Sequence, residues 1–254
     1  MQSLSDIKSV LNESVTVDEL KSFITMYESD ERAGVRKLID TANKRIAAIE
    51  KELARLKEMR KYENENRQFG LLCGIDEVGR GPLAGPVYAA AVILPEDVDI
   101  LYINDSKKLS EKKREELYSE IMEKAVAVGI GHVSEKRIDE INILQATFEA
   151  MTMAVSELSV KPGALLIDAV HIPQLDEYKQ ISIIKGDAKS ASIAAASIIA
   201  KVTRDRVMKQ YAEEYPEYGF DSNKGYGSKE HIEAIKKYGP CPIHRQTFIK
   251  NFFQ

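Results

Sequence analysis

Asp76 and Glu77 stand side by side at the end of an apolar run, Leu71-Leu72-Cys73-Gly74-Ile75, and Val78-Gly79-Arg80-Gly81 follows at once. The run predicts a buried strand. Two adjacent carboxylates at the end of such a strand are costly to bury without a partner. The usual partner of a converging carboxylate cluster is a hard divalent cation, because Mg²⁺ and Mn²⁺ prefer oxygen donors. The Gly-Arg-Gly lets main-chain N–H groups approach a ligand closely and adds a fixed positive fork. The combination points to phosphodiester chemistry, with an exposed acidic turn as the plain alternative.

Two further acids narrow the choice. Asp168 ends the apolar run Ala164-Leu165-Leu166-Ile167, and Asp187 follows the β-like segment Ile181 to Ile184. Each alone reads as a helix cap or a turn former. If the three strands are neighbours, Asp76, Asp168 and Asp187 converge at one edge of a sheet, beyond the strand ends where α/β sheets commonly bind ligands.

The stretch Asp76-Glu77-Val78-Gly79-Arg80-Gly81-Pro82-Leu83-Ala84-Gly85-Pro86-Val87 resembles the signature of the ribonuclease HII family. The resemblance continues in Asp105-Ser106-Lys107-Lys108-Leu109-Ser110, Leu166-Ile167-Asp168-Ala169 and Gly186-Asp187-Ala188-Lys189. It runs on through Ser192 to Asp205 and Lys224-Gly225-Tyr226-Gly227-Ser228, so that it covers roughly residues 70–250 in the family's order. The sister family, ribonuclease HIII, reads Gly-Thr-Gly where this chain has Gly79-Arg80-Gly81.

The resemblance implies a ribonuclease H-like fold, a mixed five-stranded sheet flanked by helices. It implies an endoribonuclease that hydrolyses the RNA strand of RNA–DNA hybrids and cuts 5′ to single ribonucleotides in duplex DNA. Asp76, Glu77, Asp168 and Asp187 match the family's four acidic positions and would hold two cations, Mg²⁺ or Mn²⁺, with Asp76 bridging and Asp187 in the looser contact. Main-chain groups of Gly79, Arg80 and Gly81 would read the 2′-hydroxyl, the group that marks RNA against DNA. Tyr226, between glycines, reads by itself as a loop anchor; the resemblance instead implies that its ring stacks on a sugar or base. Lys107, with Lys108 and Lys189, is a candidate for holding phosphates. His244 and Arg245 match a family position to which no role is assigned. Asp205, flanked by Arg204 and Arg206, reads as an ion-pair partner on a helix. His132, His171 and His231 lack ligand-like spacing and read as structural or exposed. Other carboxylate nucleases of the same fold, such as junction resolvases, and a non-catalytic hybrid-binding protein are the competing readings.

The chain's 254 residues suffice for one large domain or a medium domain with an appendage. No apolar stretch approaches the roughly 18 residues of a membrane span, so no membrane is expected. Met1 to Asp6 lack the parts of a signal peptide. The only cysteines, Cys73 and Cys241, have no CxxC partner, which argues against zinc and a disulfide framework. The expected compartment is the cytoplasm. The net charge of −4 is unevenly spread: residues 1–31 carry two Lys against seven acids, a net of −5, and residues 32–67 carry eleven Lys or Arg against six acids, a net of +5.

Residues 1–68 are expected to form a helical appendage, a candidate substrate-binding arm, and residues 69–254 the catalytic domain with a helical C-terminal portion. Thr16-Val17-Asp18-Glu19 fits a capping box. Val35, Ile39, Ala42, Ile46, Ile49, Leu53 and Leu56 then form a seam spaced by fours and threes. The expectation is a hairpin in which residues 17–28 cover this seam in a monomeric chain, with a dimeric coiled coil as the alternative. Strands are expected at 70–78, 87–94, 125–133, 164–168 and 181–185, with helices at 111–124, 134–158, 189–214 and 229–238. The tail Gln246-Thr247-Phe248-Ile249-Lys250-Asn251-Phe252-Phe253 fits a sliding-clamp-binding pattern, though Phe248, Ile249 and Phe252 would equally serve to pack the tail on the domain.

Overall fold

The computed structural model describes residues 2–252, which fall into two compact units, Met1–Glu58 and Met59–Gln254. The first unit is helical. Helix α1 (Leu4–Glu13) is capped by Ser3, whose hydroxyl accepts from Asp6 while the Asp6 carboxylate accepts from the Ser3 main chain. Helix α2 (Val17–Tyr27) has the same reciprocal cap between Thr16 and Glu19, as its sequence predicts. Helix α3 (Ala33–Met59) lays Val35, Ala42 and Ile46 against Leu20, Phe23 and Tyr27 of α2 and against Ile7 and Leu11 of α1. The seam is thus covered within the chain over its first half. Helix α1 is an addition to the expected hairpin, and Arg45 ties it down through the carbonyls of Leu11 and Ser14.

The second unit begins ahead of the expected boundary at 68/69. A short helix α4 (Lys61–Glu65) belongs with it. Arg60 donates to the carbonyls of Pro95, Glu96 and Val98, and Tyr62 packs on Leu72, Ala164 and Leu166. These contacts make residues 59–68 part of the second unit.

Strand β1 (Leu72–Val78) lies at the centre of a five-stranded sheet. Strand β2 (Val87–Ile93) returns antiparallel beside it, buried at every residue. Helix α5 (Glu111–Lys124) leads to β3 (Ala127–Val133), antiparallel to β2. The helical stretch that follows is broken at Asn142, which has positive φ and divides α6 (Glu135–Ile141) from α7 (Ile143–Ser156). Strands β4 (Ala164–Asp168) and β5 (Lys179–Ile183) then add in parallel, giving the order β3-β2-β1-β4-β5. Strand β5 ends two residues sooner than its apolar pattern suggests. Ile184 is 71% exposed and Lys185 is left-handed, so these two residues make the turn.

Helix α7 covers one face of the sheet and helix α8 (Ala191–Glu214) the other. The Ala- and Ser-rich first half of α8 lies directly on β1: a Cβ on Gly74 would come within 2.1 Å of the Ser192 main chain. Only a glycine allows that approach. Helices α9 (Phe220–Asn223), α10 (Lys229–Tyr238) and α11 (Gln246–Ile249) complete the chain. Among the described residues no helix is long and apolar enough to cross a membrane.

Candidate active site

Sheet register brings the first two acids together. Ile75 of β1 pairs with Ile167 of β4, so Asp76 and Asp168 follow as the next residues on neighbouring parallel strands, roughly 4.8 Å apart. Side chains alternate between faces along a strand. Gly74 and Leu166, two residues earlier, face α8, and so do the two acids. Asp187 is delivered by the 3₁₀ turn Gly186–Ala188, which is pinned because the Gly186 N–H donates to Asp168 Oδ1 at 2.7 Å.

All four predicted acids interact. Burial pushes the Asp76 carboxyl well above its ordinary pKa, and the charges of Glu77 and Asp168 push it the same way. Burial also raises Glu77, against the pull of Arg80, whose guanidinium lies 3.3 Å from its carboxylate. Asp187 is raised by burial, then by Asp105 and Asp168. The cluster therefore holds more carboxylate than its surroundings can neutralise. Ser197 of α8 donates to Asp76, and Ser106 stands 2.9 Å from the Ser197 hydroxyl. Ser106, Ser197 and Asp76 thus form a buried chain that fixes one carboxylate rotamer and ties the loop 105–110 to the site.

Two participants were not singled out in the sequence. Asp105 hydrogen-bonds to the Asp187 carboxyl and caps its own loop by accepting from Lys107 N at 2.9 Å. Ser197 is one of several small residues in the first half of α8, with nothing in the local sequence to mark it. Lys107 sits among Asp76, Asp105 and Asp187; burial works against its charge, but these carboxylates outweigh burial and raise its pKa. Lys108 faces outward, 3.9 Å from Asp105. Asp205 pairs with Lys201 at 2.7 Å and Arg114 at 3.9 Å, the ion-pair role its flanking arginines suggest.

The Gly79-Arg80-Gly81 loop is held from behind by two buried arginines. Arg245 donates to the carbonyls of Gly79 at 2.5 Å, Arg80 at 2.9 Å and Gly85 at 2.7 Å. Arg204 donates to those of Ala84, Pro86 and Lys224. Gly79 has φ +94°, and a Cβ there would strike the Arg204 side chain at 2.3 Å. In a trans peptide the C=O and the next N–H point in opposite directions. With the carbonyls of Gly79 and Arg80 turned inward to Arg245, the N–H groups of Arg80 and Gly81 are turned outward, where both residues are exposed. Burial and the nearby Arg204 lower Arg245 to about 9, which leaves it charged at neutral pH.

Tyr226 completes the arrangement. Its ring lies 3.7 Å from where a Gly81 Cβ would be, 43% exposed, and its phenol acts on Lys107. All of the predicted site residues are therefore gathered at one end of the sheet. Among the described residues, no three Asp, Glu, His or Cys side chains close on one point as a finished cation site. Surplus negative charge on hard oxygen donors nevertheless fits divalent cations, and Mg²⁺ in particular is commonly bound by one or two carboxylates with substrate phosphates completing its shell.

His132 stacks on Tyr88, and His171 lies exposed beside Asp176, as expected of histidines outside the site. His231 and His244, by contrast, are fully buried and bonded to each other. In the tail, Ile249 is buried and Phe248 lies under Arg245, while Phe253 falls outside the described residues.

Comparison with known proteins agrees in extent and order. The family model described as ribonuclease HII matches residues 73–253, and that described as the ribonuclease HII N-terminal domain matches residues 3–67. A protein of Lachnoclostridium phytofermentans named ribonuclease HII is 61% identical over 225 residues, 89% of this chain and 88% of that protein. The crystal structure of ribonuclease H2 from Pyrococcus horikoshii OT3 superposes with a TM-score of 0.60 at 31% identity, covering 72% of this chain and 99% of that one. The structure of a PCNA:RNase HII complex from Archaeoglobus fulgidus gives 0.62 at 28% identity, covering 72% and 97%.

The electrostatics make a prediction without substrate. An Asp whose folded pKa is raised favours folding while protonated and loses that advantage as pH rises through the folded value. In the absence of divalent cations, Asp76→Asn should therefore melt higher than wild type, with a gap that widens as pH rises above about 4. Each 1 kcal/mol corresponds to about 2–4 °C for a chain of this size. Mn²⁺ should raise the melting temperature of the wild type and leave that of the variant nearly unchanged. A wild-type protein indifferent to both pH and Mn²⁺ would refute the surplus of charge. Thermal melts followed by circular dichroism make the measurement.

Proposed function

The chain belongs to the ribonuclease HII family and is an endoribonuclease of ribonuclease H type, and we propose that it cuts the RNA strand of RNA–DNA hybrids and the 5′ side of single ribonucleotides embedded in duplex DNA. Asp76, Glu77, Asp168 and Asp187 would hold two Mg²⁺ or Mn²⁺ ions. When bound, such a pair supplies an activated water and charge neutralisation on the attacked phosphate and on the leaving oxygen.

The residues of this chain divide the remaining work. Gly186 N–H and Ser197 set the orientations of the Asp168 and Asp76 carboxylates before substrate arrives. Lys107, kept charged by its acidic neighbours, meets the phosphate beside them. The outward N–H groups of Arg80 and Gly81 offer fixed donors to one 2′-hydroxyl. Tyr226 stacks on the following sugar and leaves no room there for a second hydroxyl. The products are a 3′-hydroxyl and a 5′-phosphate.

The observation that carries this reading is the Tyr226 ring lying over Gly81, next to the lysine that the acids surround. Reader, selector and acids are then close enough to act on neighbouring nucleotides. A single ribonucleotide suffices to place its 5′ phosphate over the acids, because the reader needs only one hydroxyl.

We propose further that the first unit strengthens duplex binding as part of a monomeric enzyme. Lys37, Lys44 and Lys51 are exposed on α3 and recur every seven residues, which lines them along one side of the helix. A sliding-clamp contact through residues 246–253 would require Ile249 to leave the cluster in which it is buried. The similarity to a ribonuclease HII solved as a PCNA complex supports such a contact.

Two experiments test these statements. On a duplex carrying one ribonucleotide, the cut should map to its 5′ side, and Tyr226→Ala should slow that cut about tenfold or more while slowing cleavage of a long hybrid much less. Cleavage only where several ribonucleotides adjoin would overturn the assignment. Charge reversal of Lys37, Lys44 and Lys51 to Glu should weaken hybrid binding and flatten its salt dependence, by about one unit of log–log slope for each phosphate that is no longer neutralised. An unchanged slope would remove the arm from substrate binding.

A further inference from the structure

Behind the Tyr226 loop lies a hydrogen-bonded chain that the chemistry above does not use. His231 sits in the first turn of α10 and His244 in the segment before α11, and both are fully buried. Their rings meet at Nε2 to Nε2, 3.0 Å apart. At the far ends, His244 Nδ1 lies 2.9 Å from the Cys241 main-chain N, and His231 Nδ1 lies 2.8 Å from the Tyr226 carbonyl.

The ends determine the protons. A neutral imidazole has one donor and one acceptor nitrogen. The Cys241 N–H can only donate, so His244 Nδ1 accepts and its proton is on Nε2. That N–H donates to His231 Nε2, which must accept, and so the His231 proton is on Nδ1 and donates to the Tyr226 carbonyl. The opposite assignment would let His244 Nδ1 donate toward the Cys241 carbonyl at 3.3 Å, but it strands the Cys241 N–H and sets the His231 Nδ1 lone pair against the Tyr226 oxygen. Only one direction satisfies every group.

The surroundings keep both rings neutral. Tyr218 and Phe220 pack around both, mostly edge-on, and the Tyr218 hydroxyl is already spent on the Gly239 carbonyl. Burial lowers both imidazoles, His244 to about 4 with His231 adding to the effect. The Cys241 thiol, 3.1 Å from His244 Nδ1, is raised by burial to about 11, with Glu214 and Glu135 pushing the same way, so it stays a thiol. No carboxylate or thiolate contacts either ring among the described residues to draw a proton in.

We propose that His231 and His244 are positioning residues: a neutral two-imidazole relay that fixes the main chain of Tyr226 and so holds its ring over Gly81, where it selects the sugar. The proposal rests on the stacking role given to Tyr226. The relay ends one bond from the backbone that carries the selecting ring. Tyr226 N is itself held by the Asn223 carbonyl at 2.9 Å, and the Tyr226 carbonyl also accepts from the Ser228 N–H at 2.8 Å, so losing the relay removes one of two donors to that carbonyl and leaves the loop's main-chain anchors in place.

The test combines a spectrum with a ratio of rates. In wild-type protein at neutral pH, ¹⁵N imidazole spectra should show one buried ring protonated at Nδ1 and the other at Nε2. His231→Phe, which removes the donor, should lower the rate on a single-ribonucleotide duplex relative to a long hybrid by about tenfold. His231→Asn, which keeps a donor near the Nδ1 position, should restore most of that ratio. His231→Phe combined with Tyr226→Ala should be no worse in this ratio than Tyr226→Ala alone. Two buried rings in the same tautomer would overturn the relay, as would a folded His231→Phe with the wild-type ratio while Tyr226→Ala changes it. If Tyr226→Ala itself leaves the ratio unchanged, the stacking reading fails instead, and the role given to the relay fails with it.

Discussion

Two guanidinium ions buried at the end of the sheet carry the functional geometry. Arg204 and Arg245 are fully buried, and their hydrogen bonds all go to main-chain carbonyls. A buried charge is tolerable only when its donors are met. Here the acceptors are the carbonyls of a loop too rich in glycine and proline to form a ladder of its own. Each side supplies what the other lacks: the ions find acceptors, and the loop from Gly79 to Pro86 gains the rigidity of a secondary element. The same bonds turn the peptide planes, so the loop's free donors point outward. The 224–226 segment joins through the Lys224 carbonyl and through the Leu83 N–H, which donates to the Gly225 carbonyl.

The acids depend on a second constraint, the closeness of α8 to β1. Gly74 and the small residues of α8 let helix and strand touch, which brings the Ser197 hydroxyl to Asp76. The carboxylates are then desolvated and crowded before any cation arrives. Such a cluster is unfavourable for folding and poised for ligands, the trade-off expected where a site is preorganised against local stability.

What the sequence made readable was local. Strand, acid and turn follow one another within a few residues at Asp76, Asp168 and Asp187, so periodicity and position placed them at the sheet edge. The Thr16 cap was readable for the same reason. The Ser3 cap lies equally open in Ser3-Leu4-Ser5-Asp6, but α1 is short and its two core residues, Ile7 and Leu11, are too few to stand out. Compactness divides the chain ten residues earlier than its sequence pattern does, because Arg60 and Tyr62 look like the continuation of a charged helix while their partners lie elsewhere in the chain. Arg245 had no readable role because its targets are remote: it bonds a carbonyl 166 residues away. No local pattern distinguishes an arginine that will hold a loop from one that will face water.

If Arg245 sets the peptide planes of the reading loop, single-turnover cleavage of a one-ribonucleotide duplex by Arg245→Lys measures it directly. A lysine keeps the charge but cannot reach three carbonyls from one planar fork. The expected variant still folds and still gains thermal stability from Mn²⁺, yet cuts at least about a hundredfold more slowly. A folded Arg245→Lys protein that cuts at the wild-type rate would contradict that role.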